Sequence, residues 1–105
     1  MKVRIADAAR TYLRREAGYL RRRDPATARN FAARMRAAAQ SLAAFPNIGI
    51  ESEGHPVPGV RRLIVGDYLL DYEIVGDEVH VVAARHGRQS PPTPEIDPDF
   101  DYEEP

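Results

Sequence analysis

Hydrophobic and polar residues follow two different periods along this chain. Residues 2–6 alternate charged and apolar side chains, which predicts a short strand with Val3 and Ile5 facing inward. Between residues 8 and 45 the apolar positions recur every three or four residues, as on one face of a helix. Residues 60–84 return to a period of two. The pattern therefore predicts a strand, a helical region and a second group of strands.

The helical region divides into two helices. The first is predicted at residues 8–22, with Asp7 as its N-cap. The second begins at Pro25, with Asp24 as its N-cap, and ends just before Pro46, since proline keeps the preceding residue out of the helical conformation. So short a break predicts an antiparallel helical hairpin.

Three strands are predicted at residues 60–65, 68–75 and 78–84, after a loop at 47–58. Gly-Asp pairs at 66–67 and 76–77 are signals for tight turns, so these strands should form an antiparallel meander. Alternation assigns the side chains of the second strand to opposite faces: Tyr68, Leu70, Tyr72 and Ile74 on one, and Leu69, Asp71 and Glu73 on the other. In the last strand it separates Val79, Val81 and Ala83 from His80, Val82 and Ala84.

We therefore expect an α+β fold with the element order β-α-α-β-β-β. An antiparallel sheet, formed by the N-terminal strand and the meander, would pack against the N-terminal helical hairpin. Residues 1–90 form the predicted domain. Residues 91–105 contain five prolines and no apolar period, which predicts a flexible tail.

Composition excludes several classes of site. The chain has 105 residues, enough for one small domain, and no cysteine, so disulfides and thiolate metal sites are excluded. The three histidines, at positions 55, 80 and 86, lack the spacing of metal ligands, and no phosphate loop or HExxH motif is present. We expect neither a metal nor a cofactor. No signal peptide or membrane helix is evident, so a cytoplasmic location is expected.

The charge is distributed unevenly. Residues 1–45 carry 11 basic and 3 acidic side chains, whereas residues 95–105 carry six acidic side chains and no basic one. A basic body predicts a nucleic acid or an acidic protein as partner. The acidic tail is either solvated or folded back onto the arginine surface.

Basic residues are also concentrated in the predicted meander, at Arg61, Arg62, Arg85, His86 and Arg88. Arginine pairs bidentately with phosphate or carboxylate, and a histidine among arginines can act as a base near neutral pH. Alternatively, Asp71 and Glu73 neutralise these arginines as salt-bridge partners. The residues alone are compatible both with an arginine-rich binding site and with internal salt bridges.

Motifs in the chain resemble a known superfamily. They are L-x-x-F-P-x-x-G (Leu42, Phe45, Pro46 and Gly49), G-V-R-R-L-x-V-G-x-Y-x-x-x-Y (residues 59–72) and R-H-G-R-Q (residues 85–89). In this order, after a strand and a helical hairpin, they resemble the RelE/ParE toxins, and the ParE branch most closely. The resemblance covers residues 2–90.

The resemblance implies the toxin of a type II toxin–antitoxin system, neutralised by a small antitoxin. ParE-like toxins poison DNA gyrase, whereas RelE-like toxins cut mRNA in the ribosome without a metal. Arg88 matches a basic catalytic position of the ribonuclease branch. Leu69 replaces a frequent arginine of that branch, and Pro91, Pro92 and Pro94 stand where a tyrosine is expected.

We therefore expect a ParE-like gyrase inhibitor, which is not an enzyme in the ordinary sense. The alternatives are a RelE-like ribonuclease, with Arg88 and His86 as candidate catalytic residues, or a non-toxic member that only binds an antitoxin. The candidate residues for target binding are Arg61, Arg62, Arg85 and Arg88. Those for antitoxin binding are Arg14, Arg15, Arg22 and Arg34 on the hairpin, together with the exposed edge of the sheet.

Overall fold

The computed structural model describes residues 1–51 and 58–87. Its elements are β1 (Lys2–Ile5), α1 (Asp7–Arg23), α2 (Pro25–Ala44), β2 (Ile50–Glu51), β3 (Arg61–Val65), β4 (Tyr68–Val75) and β5 (Glu78–His86). The two helices pack on one face of a five-stranded sheet. The predicted α+β class and the helical hairpin ahead of the meander are confirmed. The predicted tail, residues 91–105, lies outside the described residues.

The sheet is mixed rather than wholly antiparallel. Its strand order is β1-β5-β4-β3-β2, and β1 pairs with β5 in parallel, with Val3 opposite Val79. The predicted loop at 47–58 contains the short strand β2, which pairs antiparallel with β3. Because β2 carries the chain back along the sheet before β3 begins, β3 and β5 run in the same direction as β1. This corrects the expected antiparallel pairing of the N-terminal strand.

The start of α2 is capped as the sequence predicts. The Asp24 carboxylate accepts hydrogen bonds from the backbone N–H of Ala26 at 3.1 Å and from the Thr27 hydroxyl at 2.9 Å. These bonds, with that from Thr27 the larger cause, lower the pKa of Asp24. Pro25 then occupies the first helical position, where its missing N–H costs no hydrogen bond.

The predicted cap of α1 is wrong. Asp7 is the first residue of α1, and Ala6 takes the capping position without a side-chain hydrogen bond. The backbone N–H of Ala6 donates instead to the carbonyl of Val81 at 2.9 Å, which continues the β1–β5 pairing up to the helix. The carboxylate of Asp7 still lies in the first turn, where the helix dipole favours negative charge.

Tyr72 connects the end of the helical hairpin to the centre of the sheet. Its side chain is fully buried, and its hydroxyl donates to the carbonyl of Pro46 at 2.7 Å and accepts from the N–H of Gly49 at 2.8 Å. A Cβ at Gly49 would lie 2.7 Å from the Tyr72 ring. Leu42, also fully buried, packs in the same core. Four residues of the motifs quoted above are therefore explained by packing.

A register shift interrupts the pairing of β4 with β5. Tyr72 lies opposite Val81 and Asp71 opposite Ala83, so Val82 has no partner. Beyond Val82 the side chains of β5 therefore exchange faces. Ala84 packs against the core, where strict alternation had predicted Ala83.

Candidate partner-binding surface

Arg61 and Arg62 are adjacent in sequence but lie on opposite faces of the sheet. Arg61 is opposite Tyr72, on the face that the helices cover, and donates to the carbonyl of Gly49 at 2.8 Å. Arg62 is opposite Asp71, on the open face. This separation follows from the strand geometry, in which neighbouring side chains point in opposite directions.

Arg62 is neutralised by a carboxylate. Its Nε lies 2.8 Å from Oδ1 of Asp71, and its Nη2 lies 3.4 Å from Oδ2. The hydrogen bond to Asp71 raises the pKa of Arg62. Asp71 is only 7% exposed, whereas 30% of the Arg62 side chain is exposed, so the carboxylate is removed from water and the arginine only in part. The interpretation of Asp71 as a salt-bridge partner is confirmed.

Arg85 and His86 lie on opposite faces as strand neighbours, and the register shift at Val82 decides which of them faces the helices. Arg85 lies opposite Leu69 on the open face, and His86 lies opposite Tyr68 on the face that the helices cover. Thus Arg62 and Arg85 share one face, whereas Arg61 and His86 lie on the other. Arg88 lies outside the described residues.

A polar cluster under the helices was not predicted from the sequence. The hydroxyl of Tyr68 donates to the carboxylate of Glu16, and its ring contacts Phe31 and His86 edge to face, with centroid distances of 4.9 and 5.1 Å. Burial, followed by the bond to Glu16, raises the pKa of Tyr68. Burial, followed by the charge of Glu16, raises the pKa of Tyr12. The hydroxyls of Tyr12 and Tyr68 therefore stay protonated at neutral pH. The sequence contained one signal for this cluster, because the acidic residue Glu16 lies one helical turn after Tyr12.

This cluster forms one wall of a cavity of about 620 Å³ between the hairpin and the β3–β4 turn. Arg34 lies at its rim and packs over the turn. A Cβ at Gly66 would lie 2.6 Å from Nη1 of Arg34. Arg34 is thus partly engaged by its own fold, unlike the other three hairpin arginines named as candidates.

Those three arginines surround a hollow on the outer surface of α1. Arg14, Arg15 and Arg22 are exposed and line a hollow of about 610 Å³, together with Gly18 and with Glu16, whose carboxylate accepts a hydrogen bond from Tyr68. Within the part of the chain that the structure describes, no carboxylate forms an ion pair with any of them. We call this the arginine hollow. It offers three cationic side chains to an acidic ligand.

The outer edge of the sheet carries exposed apolar side chains. Ile48, Ile50 and Ile64 are 49%, 72% and 65% exposed. The short strand β2 pairs with residues 61 and 62, so within the described chain the outer edge of β3 beyond residue 62 has no strand partner. A groove of about 260 Å³ lies between this edge and α2. An apolar edge strand of this kind is a ready site for a partner strand.

Two further classes of site have no basis in the described residues. Within residues 1–51 and 58–87, no group of three or more histidine, aspartate or glutamate side chains is placed to hold a metal ion. His55 lies outside these ranges. Neither helix has the length and apolar character needed to cross a membrane.

Comparison with known proteins gives two positive findings. The family model of the ParE toxin of type II toxin–antitoxin systems, parDE, matches residues 3–91. A solved structure described as the chromosomal ParDE TA system from P. aeruginosa has the same fold, with a TM-score of 0.67 and 18% sequence identity. That alignment covers 82% of this chain and 95% of the other. No curated protein matches the sequence.

Proposed function

The chain belongs to the family of ParE toxins of type II toxin–antitoxin systems, and we propose that it inhibits DNA gyrase until a cognate antitoxin binds it. The family match over residues 3–91 carries this proposal. Its site of action would be the cytoplasm, and its neutralised form a hetero-oligomer with the antitoxin. The protein would act as a gyrase poison rather than as an enzyme.

The arrangement of side chains favours gyrase inhibition over RNA cleavage. Cleavage by general acid–base chemistry requires one group that activates the 2′-hydroxyl and another that protonates the leaving oxygen. The candidate base, His86, packs on Tyr68 under the helices, while Arg62 and Arg85 lie on the open face. The raised pKa of Tyr68 also makes its phenol a poor base. Among the described residues, the candidate base His86 is therefore not brought together with the arginines of the open face.

We place the antitoxin on two adjacent surfaces. The arginine hollow of α1 would bind acidic side chains, since arginine and carboxylate form charge-assisted hydrogen bonds. The edge of β3 would pair with an extended segment, whose apolar side chains would cover Ile64 and the groove beside α2. The cavity of about 620 Å³ lies between the two surfaces, because it shares Glu16 and Tyr19 with the hollow and Arg34 with the groove.

The target can be tested with purified components. We expect the protein to make gyrase accumulate cleaved plasmid DNA in the presence of ATP, and to leave cell-free translation unaffected. In cells, induction should cause filamentation with DNA-damage signalling. Cut transcripts on ribosomes would instead establish the ribonuclease, and antitoxin binding with neither effect would establish a non-toxic binding module.

The edge surface can be tested with a pair of lysine substitutions. Ile64→Lys places a charge on the edge that we assign to the antitoxin, and should weaken binding of the antitoxin by roughly tenfold or more, as loss of about 1.4 kcal/mol would. Val75→Lys, at an exposed position at the far end of β4, is the matched control and should leave affinity unchanged. Calorimetric titration measures both. Equal affinities of the two variants would place the antitoxin elsewhere.

A further inference from the structure

Gly18 lies in the middle of α1, where glycine is unfavourable. Glycine in a helix interior costs about 1 kcal/mol relative to alanine. A Cβ at this position would meet only the side chains of Arg22 and Arg21, at 3.5 and 3.8 Å, and no atom of another described element lies within 4 Å. Packing within the described fold therefore does not require glycine here. Its effect is to leave space among the guanidinium groups of the arginine hollow.

The described chain ends beside this hollow. His86 packs against the ring of Tyr68, whose hydroxyl donates to the carboxylate of Glu16, and Glu16 lines the hollow. From Gly87, the eight residues that lead to Glu95 can span up to about 26–29 Å. From Tyr12 to Arg22, ten helical rises of α1 extend over only about 15 Å. Residues 95–105 can therefore reach every arginine of the hollow.

The charges of the two parts are complementary. Residues 95–105 contain six carboxylates and no basic side chain, together with Ile96, Phe100 and Tyr102. The hollow contains three arginines that have no ion-pair partner among the described residues. Tethering raises the local concentration of the segment near the hollow, to an extent set by the length and stiffness of residues 88–94. Individually weak surface ion pairs can then be populated together.

We propose that the acidic segment 95–105 binds in cis to the arginine hollow of α1. It occupies the surface that an acidic partner would use and so competes with that partner. The competition rests on the proposed function, since it needs an antitoxin that binds α1. The intramolecular contact itself does not depend on it.

The contact can be measured on the full-length chain. Because the sequence has no cysteine, Pro105→Cys gives a single site for a nitroxide spin label. We expect the label to broaden the amide NMR signals of α1 around Gly18 at low ionic strength. The broadening should disappear in about 1 M salt, where the Debye length is about 3 Å. Absence of broadening at low salt, or broadening that persists in high salt, would overturn the proposal.

Two triple variants locate the contact. The test variant removes the charges of the hollow: Arg14→Gln, Arg15→Gln and Arg22→Gln. The control removes three exposed charges elsewhere on the surface: Lys2→Gln, Arg29→Gln and Arg36→Gln. Broadening should be lost in the first and kept in the second. Equal loss in both would reduce the effect to net charge and contradict a defined site.

The competition has a separate readout. Replacing three of the six acids of the segment by amides, Asp97→Asn, Asp99→Asn and Asp101→Asn, should tighten binding of the antitoxin several-fold at low salt, as expected for the release of about 1 kcal/mol. Unchanged affinity together with intact broadening would leave the contact established and refute the competition. If the protein did not inhibit gyrase, neither the NMR broadening nor the antitoxin affinity would be affected.

Discussion

Arg62 on β3 and Arg22 on α1 are the same kind of residue in different surroundings. Arg62 lies opposite Asp71 and donates two hydrogen bonds to that buried carboxylate. Arg22 lies on the outer surface of α1 and forms no ion pair with any described residue. A strand holds its side chains about 5 Å from those of its neighbour, so a cross-strand acid neutralises the arginine. On the outer face of a helix no second element imposes a partner. The arginines that we assign to antitoxin binding therefore lie on the helices.

The largest effect is expected where an arginine stabilises the fold. Arg62→Gln should lower the free energy of unfolding by about 2 kcal/mol, because it removes the charge-assisted hydrogen bonds that Arg62 donates to the buried carboxylate of Asp71. Arg22→Gln should change it by less than about 0.5 kcal/mol. Urea denaturation measures both. If the two substitutions cost the same, the distinction between sheet and helix arginines is wrong.

Arg34 is intermediate between these groups, and two equivalent turns can measure how far it is engaged. Gly66 and Gly76 both have φ near +60°, so alanine at either should cost about 1–2 kcal/mol. At Gly66 the added methyl would also displace the flexible end of the Arg34 side chain, at a small further cost, whereas at Gly76 no atom lies within 4 Å. We expect the Gly66→Ala variant to melt at the lower temperature. In an Arg34→Ala background the two variants should melt alike.

A substitution at Gly18 tests whether the packing of the fold requires glycine beside the arginine hollow. Gly18→Ala should stabilise the protein by about 1 kcal/mol through helix propensity, which raises Tm by roughly 4–8 °C in a domain of this size. Gly49→Ala is the opposite case, because its Cβ would lie 2.7 Å from Tyr72 and 2.8 Å from the carbonyl of Arg62. Differential scanning calorimetry should show the first variant above wild type and the second below it. Destabilisation by Gly18→Ala would mean that the fold needs this glycine after all.

The smallest effect is expected at Glu78, which pairs with a further arginine of the sheet, Arg4. Glu78 bonds His80 and Arg4, both at 2.9 Å, and these contacts, with His80 the larger cause, lower its pKa. A lowered folded-state pKa stabilises the protein above the ordinary value of 4.5, and this contribution is lost as pH falls through the lower, folded-state value. Glu78→Gln should therefore flatten the acid limb of the stability curve. Asp77→Asn, the neighbouring exposed residue, provides the control and should leave this slope nearer to that of wild type.

Local sequence determined most of the secondary structure. The two helices, the β3–β5 meander and both Gly-Asp turns follow from periods and turn residues that act over a few positions. Asp24 caps α2 because its partners, Ala26 and Thr27, are its near neighbours. The pairing of Arg62 with Asp71 was also accessible, since a two-residue turn fixes which residues of a hairpin face each other.

Tertiary structure decided the rest, because it depends on residues distant in sequence. The pattern of β1 specified a strand but not its parallel partner β5, and the pairing of residues 50 and 51 with β3 carried no periodic signal. The unpaired Val82 was equally invisible, yet a shift of one residue exchanges the two faces of a strand. It is this shift that directs His86 toward Tyr68 and the helices and leaves Arg85 on the open face.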